Sequence, residues 1–198
     1  MTSILISADD IKKDLPGYSP ERSEEFHSES AKLADAKLYE TIKTSKFEKV
    51  VLLSGGPASG KTEYFSEYLD KQDLIVLDGI LPTEKGAGIK IGRISKSKKK
   101  IEIHAVWPQD FKQAFVAFLN RDRKFSDRYF YEKHSSARKT LLWIAENYPH
   151  VEIKLIKNAY LGEDLSFTEL KFETRGDLLA YLRENQYTKD DIIKLVSE

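Results

Sequence analysis

The chain has 198 residues, enough for one domain with a sizeable core. Its 32 lysines and arginines balance 32 aspartates and glutamates, so no global field draws it to nucleic acid or to a membrane surface. It has no cysteine, which excludes disulfides and thiolate-bound metals, and no apolar run approaches the ~20 residues of a membrane helix.

Taken in order, Met1-Thr2-Ser3-Ile4-Leu5-Ile6 lacks the basic start and long apolar stretch of a secretory signal, so a soluble cytoplasmic protein is expected. Residues 1–18 show no decisive pattern and end in the turn Pro16-Gly17. Ser19-Pro20-Glu21 predicts a helix start, with serine as cap and proline at the first helical position. The stripe Phe26, Ser30, Leu33, Ala34, Lys37, Leu38 and Ile42 predicts an amphipathic helix to about Thr44.

Lys49-Val50-Val51-Leu52-Leu53-Ser54 is apolar and β-branched, the pattern of a buried parallel strand. Gly55-Gly56-Pro57-Ala58-Ser59-Gly60-Lys61-Thr62 follows and fits G-x-x-x-x-G-K-[ST], the phosphate-cradling P-loop. Its glycines let the backbone point N–H groups inward, Lys61 reaches the β and γ phosphates, and the Thr62 hydroxyl can hold Mg²⁺. Phe65, Tyr68 and Leu69 then recur at helical spacing, so the motif has its required strand–loop–helix context.

Leu74-Ile75-Val76-Leu77 predicts a second strand, ending at Asp78-Gly79. An acid there lies where open α/β sheets bind ligands. Residues 83–100 are glycine- and lysine-rich, with Lys90, Arg93, Lys96, Lys98, Lys99 and Lys100. A solvated hairpin or mobile loop is expected, with a ligand-contacting basic edge as the alternative. Ile101–Trp107 is a third strand stopped by Pro108, and Gln109–Leu119 a helix faced by Phe111, Ala114, Phe115, Phe118 and Leu119. A connection over residues 120–131 carries Arg121, Arg123 and Arg128. A long helix runs from about Phe130 to Asn147, and Val151–Ile156 is a fourth strand. Two tail helices are expected near Gly176–Glu184 and Lys189–Ser197, the second capped by Thr188 with Asp191 three residues on.

Strands alternating with helices predict an α/β, three-layer P-loop NTPase/kinase fold with a mainly parallel central sheet, and N-terminal and C-terminal helices packed around it. Residues 1–198 are expected to form a single P-loop kinase domain. Residues 1–45 would be a helical lead-in, 46–157 the nucleotide-binding core and 158–198 a helical tail.

The strand Ile101–Trp107 has no Walker-B aspartate, and Asp78 is the one acid in that kind of position. Thr188-Lys189-Asp190-Asp191 mimics a guanine-reading motif but follows no strand and is better read as a helix cap. A P-loop, a strand-end aspartate and an arginine-rich segment are the parts of a small-molecule kinase. The loop holds the donor, the aspartate takes the acceptor proton and the arginines neutralise the transferring phosphoryl. Candidate ATP-binding residues are Gly55 to Thr62 together with Arg121, and Thr62 is the candidate metal ligand. His134 lies on an apolar stripe and is expected to be a buried structural histidine. His27 and His104 have no evident partner, and Trp107 and Trp143 are expected in the core.

The chain resembles the zeta-toxin family of P-loop kinases. Four stretches carry the resemblance: Ser23-Glu24-Glu25-Phe26-His27-Ser28-Glu29-Ser30-Ala31, the loop Gly55–Thr62, Asp78, and Arg128-Tyr129-Phe130-Tyr131-Glu132-Lys133-His134. The resemblance covers roughly residues 19–157. It implies phosphorylation of a UDP-activated amino sugar, usually UDP-N-acetylglucosamine, with ATP and Mg²⁺. It assigns Lys61 and Thr62 to nucleotide and metal, Asp78 to the general base and Arg128 to the γ-phosphate, and it implies a small helical antitoxin as partner. Ala58 departs from the family, which often has glycine there, and the family's sugar-binding residues find no match between Pro82 and Lys100. Two other functions compete: an ATP-binding regulatory protein without transfer activity, and a nucleic-acid end kinase using the basic segment. Zero net charge and the lack of an aromatic ladder oppose the last.

Overall fold

The structure is a computed structural model that describes residues 2–161 and 164–198. Among these residues six strands form one sheet: β1 (Ile4–Ser7), β2 (Lys49–Ser54), β3 (Leu74–Asp78), β4 (Lys100–Pro108), β5 (Glu152–Leu161) and β6 (Asp164–Leu170). Their spatial order is β1-β3-β2-β4-β5-β6. Neighbours from β1 to β5 are parallel, and β6 runs antiparallel to β5. The chain leaves β2 for β3 on one side and returns to β4 on the other. The carboxyl end of β2 is therefore the switch point where such sheets bind ligands.

Among the described residues eight α-helices cover the sheet: α1 (Ala8–Lys13), α2 (His27–Thr44), α3 (Lys61–Tyr68), α4 (Glu84–Lys96), α5 (Phe111–Leu119), α6 (Asp127–Asn147), α7 (Arg175–Glu184) and α8 (Lys189–Ser197). Strand residues alternate between two cores. Val50, Leu52, Ile75 and Ile103 pack with Leu38 of α2, Ile91 of α4 and Leu141 of α6. Val51, Leu53, Val76 and Val106 pack with Tyr64 and Phe65 of α3. Both faces of β2 are buried, which explains its unbroken apolar run. A third cluster, with Ala114, Phe118, Phe130 and Ile192, joins α5, α6 and α8.

Several elements differ from the sequence expectation. Residues 4–13 form β1 and α1, and β1 pairs with β3 from Ile4↔Ile75 to Ser7↔Asp78. Pro20–Arg22 is only a 3₁₀ turn. The helix proper starts at His27 and buries Ser30, Ala34, Leu38 and Ile42, while Leu33 is 43% exposed.

The segment expected as a hairpin or loop is α4. Thr83 caps it by accepting from Gly86 N, and Ala87, Ile91 and Ile94 face the core. Gly86, Gly88 and Gly92 lower its intrinsic propensity, but burial overrides that. A Cβ on Gly88 would fall 3.0 Å from the Tyr148 hydroxyl and 3.3 Å from Trp143, so a small residue lets α4 approach α6. α6 itself starts three residues earlier than expected. The tail is not wholly helical: β5 runs on to Leu161 and pairs with β6, which extends the sheet by a hairpin.

Candidate active site

The phosphate loop leaves β2 under tight packing that specifies its glycines. Gly55 has φ +146°, and a Cβ there would lie 2.3 Å from the Val106 carbonyl oxygen. Gly60 has φ +81°, so it too sits in backbone space that favours glycine. Ala58 adopts φ +56°, a left-handed conformation that glycine would take at lower cost. That is where this chain departs from the resembled family.

Three side chains hold the loop from behind. His134 of α6 donates from Nε2 to the Pro57 carbonyl (2.9 Å), the Tyr160 hydroxyl donates to the Ala58 carbonyl (3.1 Å), and Asn158 Nδ2 donates to the Ser59 carbonyl (2.6 Å). Three successive loop carbonyls are thus tied to side chains behind the loop, which fixes its backbone. Burial pushes the His134 pKa down to about 3, so the ring is neutral and acts as a fixed donor. Lys61 Nζ meanwhile donates to the Gly55 (2.9 Å) and Gly56 (3.0 Å) carbonyls.

A cleft of about 320 Å³ opens beside the loop. Lys61, Thr62 and Asp78 line it, with Arg121 and Arg123 from the α5–α6 connection and Asp9, His27 and Tyr129 on the far wall. Burial, and then the Asp9 charge, raise the Asp78 pKa, while Lys61 and the two arginines oppose the rise. Burial lowers the Lys61 pKa, opposed first by Asp78. Burial also lowers that of Arg121, with repulsion from Arg123. A carboxylate raised by burial beside cations is the environment of a base poised nearer neutrality.

The arginine connection is tied to the lead-in. Arg123 forms an ion pair with Asp9. Lys124 N donates to the Pro20 carbonyl (2.9 Å), and Ser126 N donates to Glu24 (2.8 Å). Lys12 is fully buried beneath it, bonded to Asp9 (3.1 Å) and Ser23 (3.3 Å).

The expected residues are thus not all together. Gly55 to Thr62, Asp78 and Arg121 converge. Arg128 does not: its side chain is 74% exposed and paired with Glu132 at 2.5 Å, outside the cleft. Arg128 lies in the first turn of α6, which points it to solvent. The cleft's cations are instead Arg121, an expected ATP-binding residue, and Arg123, both supplied by the α5–α6 connection. His27 does have a partner, the Tyr129 hydroxyl at 3.1 Å, and so does His104, which bridges Tyr64 (3.0 Å) and Glu102 (3.2 Å). Asp9 was not expected in the cleft because residues 1–18 give no decisive pattern, and His27, although in the resembled stretch, lies at the start of α2 where helical spacing does not reveal a cleft wall.

The basic segment is largely engaged. Lys90 pairs with Asp35 (2.7 Å), Arg93 lies over Tyr39 (3.9 Å), Lys99 bonds the Ser45 and Phe47 carbonyls, and Lys100 pairs with Glu102 and Glu152. Among the described residues no group of three His, Cys, Asp or Glu side chains could hold a metal, and no helix is long and apolar enough to cross a membrane. A cation here would be held by the Thr62 hydroxyl and the phosphates themselves, the usual arrangement for Mg²⁺.

The fold recurs in solved structures. A chain in the crystal structure of AvrRxo1-ORF1:-ORF2 with ATP is similar at TM-score 0.54 and 14% identity, over 87% of this chain and 74% of that one. A chain in the structure of AvrRxo1-ORF1:AvrRxo1-ORF2 with sulphate ions is similar at TM-score 0.54 and 14% identity, over 88% and 75%. At that identity the likeness establishes the fold, a mixed α/β domain around a mostly parallel sheet. No family model matches the chain, and no curated protein matches it.

Proposed function

We propose that this protein is an ATP-dependent phosphotransferase that moves the γ-phosphoryl group to a hydroxyl of a small acceptor. The observation that carries the reading is the single cleft shared by Lys61, Thr62, Asp78, Arg121 and Arg123. The loop amides and Lys61 bind the donor phosphates, and Lys61 exchanges its two carbonyl partners for phosphate oxygens. Mg²⁺ on Thr62 neutralises phosphate charge when bound. Asp78 accepts the acceptor proton. Arg121 and Arg123, rather than Arg128, face the charge of the transferring group. The acceptor lies between the loop and the Asp9–His27–Tyr129 wall.

A UDP-amino sugar as acceptor, and a small antitoxin as partner, rest on the zeta-toxin resemblance. The two-protein complexes in which the similar fold was crystallised lend the partner some support. ATP and Mg²⁺ incubated with UDP-sugars, nucleosides and 5′-hydroxyl oligonucleotides, read by mass, should show one added phosphate on a small acceptor. Asp78→Asn should cut that transfer by about 10²–10⁴-fold while ATP still binds. Binding of ATP without transfer to any acceptor would instead favour a regulatory protein.

A further inference from the structure

A second cavity, of about 370 Å³, lies where β4 leads into α5, under the C-terminal helices, and shares no lining residue with the cleft. Its most unusual feature is Arg138 of α6. The residue is 3% exposed. Among the described residues its guanidinium makes one hydrogen bond, from Nη1 to the Asn185 carbonyl (3.1 Å), and Nε is buried without an acceptor. Burial pulls its pKa down to about 10, and among the described residues no carboxylate pairs with it. It lies instead over the rings of Trp107 (3.8 Å), Tyr187 (5.0 Å) and Phe111 (5.2 Å). A cation taken out of water without a counter-charge is costly, and a bound anion would offset that cost.

The walls suit such an anion. Lys157 brings a second cation to the cavity, and Phe111, Tyr187 and Leu195 supply apolar surface. Asp110 is the acid on the wall, but its Oδ1 caps α5 by accepting from the N–H groups of Lys112 (2.7 Å) and Gln113 (3.1 Å). We propose that this cavity binds a small organic anion, a carboxylate or phosphate ester on an apolar body, with Arg138 and Lys157 as its cationic contacts. The site adjoins the side chains that hold the phosphate loop. Arg138 lies one turn beyond His134 on α6, Phe111 packs against both, and His134 holds the Pro57 carbonyl.

The two tryptophans of the chain make a test direct. In a Trp143→Phe chain, Trp107 against Arg138 is the sole tryptophan. Titration with phenyl phosphate and with benzoate should give a saturable change in its emission, and the tighter probe identifies the preferred head group. Arg138→Gln should weaken binding by about tenfold or more, as loss of a charged hydrogen bond does. Lys157→Gln, at a partly exposed position, should weaken it similarly and serves if Arg138→Gln does not fold. Lys61→Ala should leave binding intact. No saturable change with either probe at millimolar concentration overturns the proposal. So does unchanged affinity in the Arg138 and Lys157 variants. Loss of the signal in Lys61→Ala also overturns it, because the probe would then sit in the phosphate loop.

Discussion

Gly56→Ala tests how the loop is held. A Cβ at Gly56 would fall 2.3–2.4 Å from three ring atoms of His134, well inside van der Waals contact. That ring is 2% exposed, packed against Phe130 and Phe111, and bonded to the Pro57 carbonyl, so it cannot swing away freely. Overpacking of this kind costs about 1–3 kcal/mol of stability. The alternative is a displaced loop. One misdirected amide on a phosphate is worth about 1.5–3 kcal/mol, so ATP affinity should fall roughly 10- to 100-fold. His134→Ala alone leaves the Pro57 carbonyl without its donor, at about 1–3 kcal/mol. In the double variant the clash has no partner, so the two effects should fall short of additivity by about 1–2 kcal/mol. Urea denaturation of the four chains, with calorimetric ATP titrations, reads both quantities. Additive energies, or a Gly56→Ala chain that keeps both the stability and the ATP affinity of the wild type, would refute the steric account.

Lys61→Ala should abolish the rise in melting temperature that ATP–Mg²⁺ gives the unmodified chain, because a ligand stabilises only the state it binds; a full shift in the variant would remove the loop from nucleotide binding. Arg121→Ala and Arg123→Ala should each cut turnover by roughly 10³-fold with ATP affinity within a few-fold, whereas Arg128→Ala should leave steady-state kinetics nearly unchanged; the opposite ranking would restore Arg128. Stability should decline on acidification. Burial holds the His134 pKa at about 3 and the His27 pKa at about 4, below the ordinary 6.5. Each is a depressed folded-state value, so its contribution is complete above pH 6.5 and is lost as pH falls toward the folded pKa. For His134 that loss is about 1.5 kcal/mol between pH 6.5 and 5. A chain with His27→Phe should lose stability less steeply over that window, measured by urea midpoints at each pH.

Features that a short stretch of chain can specify were legible before the fold was known. The run Val50–Leu53 was legible because a fully buried parallel strand demands an unbroken apolar run, and the loop's turn because Gly55 and Gly60 take positive φ values that favour glycine. Asp78 was legible as an acid ending a strand beside that loop. Thr188 and Asp191 formed the capping box that their spacing announced. Tertiary structure decided the rest. Ile4–Ser7 is a strand because β3 offers it an edge, not because four residues insist on one. The glycine-rich α4 is a helix because Ala87, Ile91 and Ile94 find a core and Gly88 fits against Trp143. Arg121, Arg123 and Arg128 look alike in sequence. Only the pairing of Arg123 with Asp9, more than a hundred residues away, and of Arg128 with Glu132 on its own helix separates a cleft cation from a surface one. Local patterns fix what a segment can be, while long-range burial and ion pairing, which no local window contains, choose among those options.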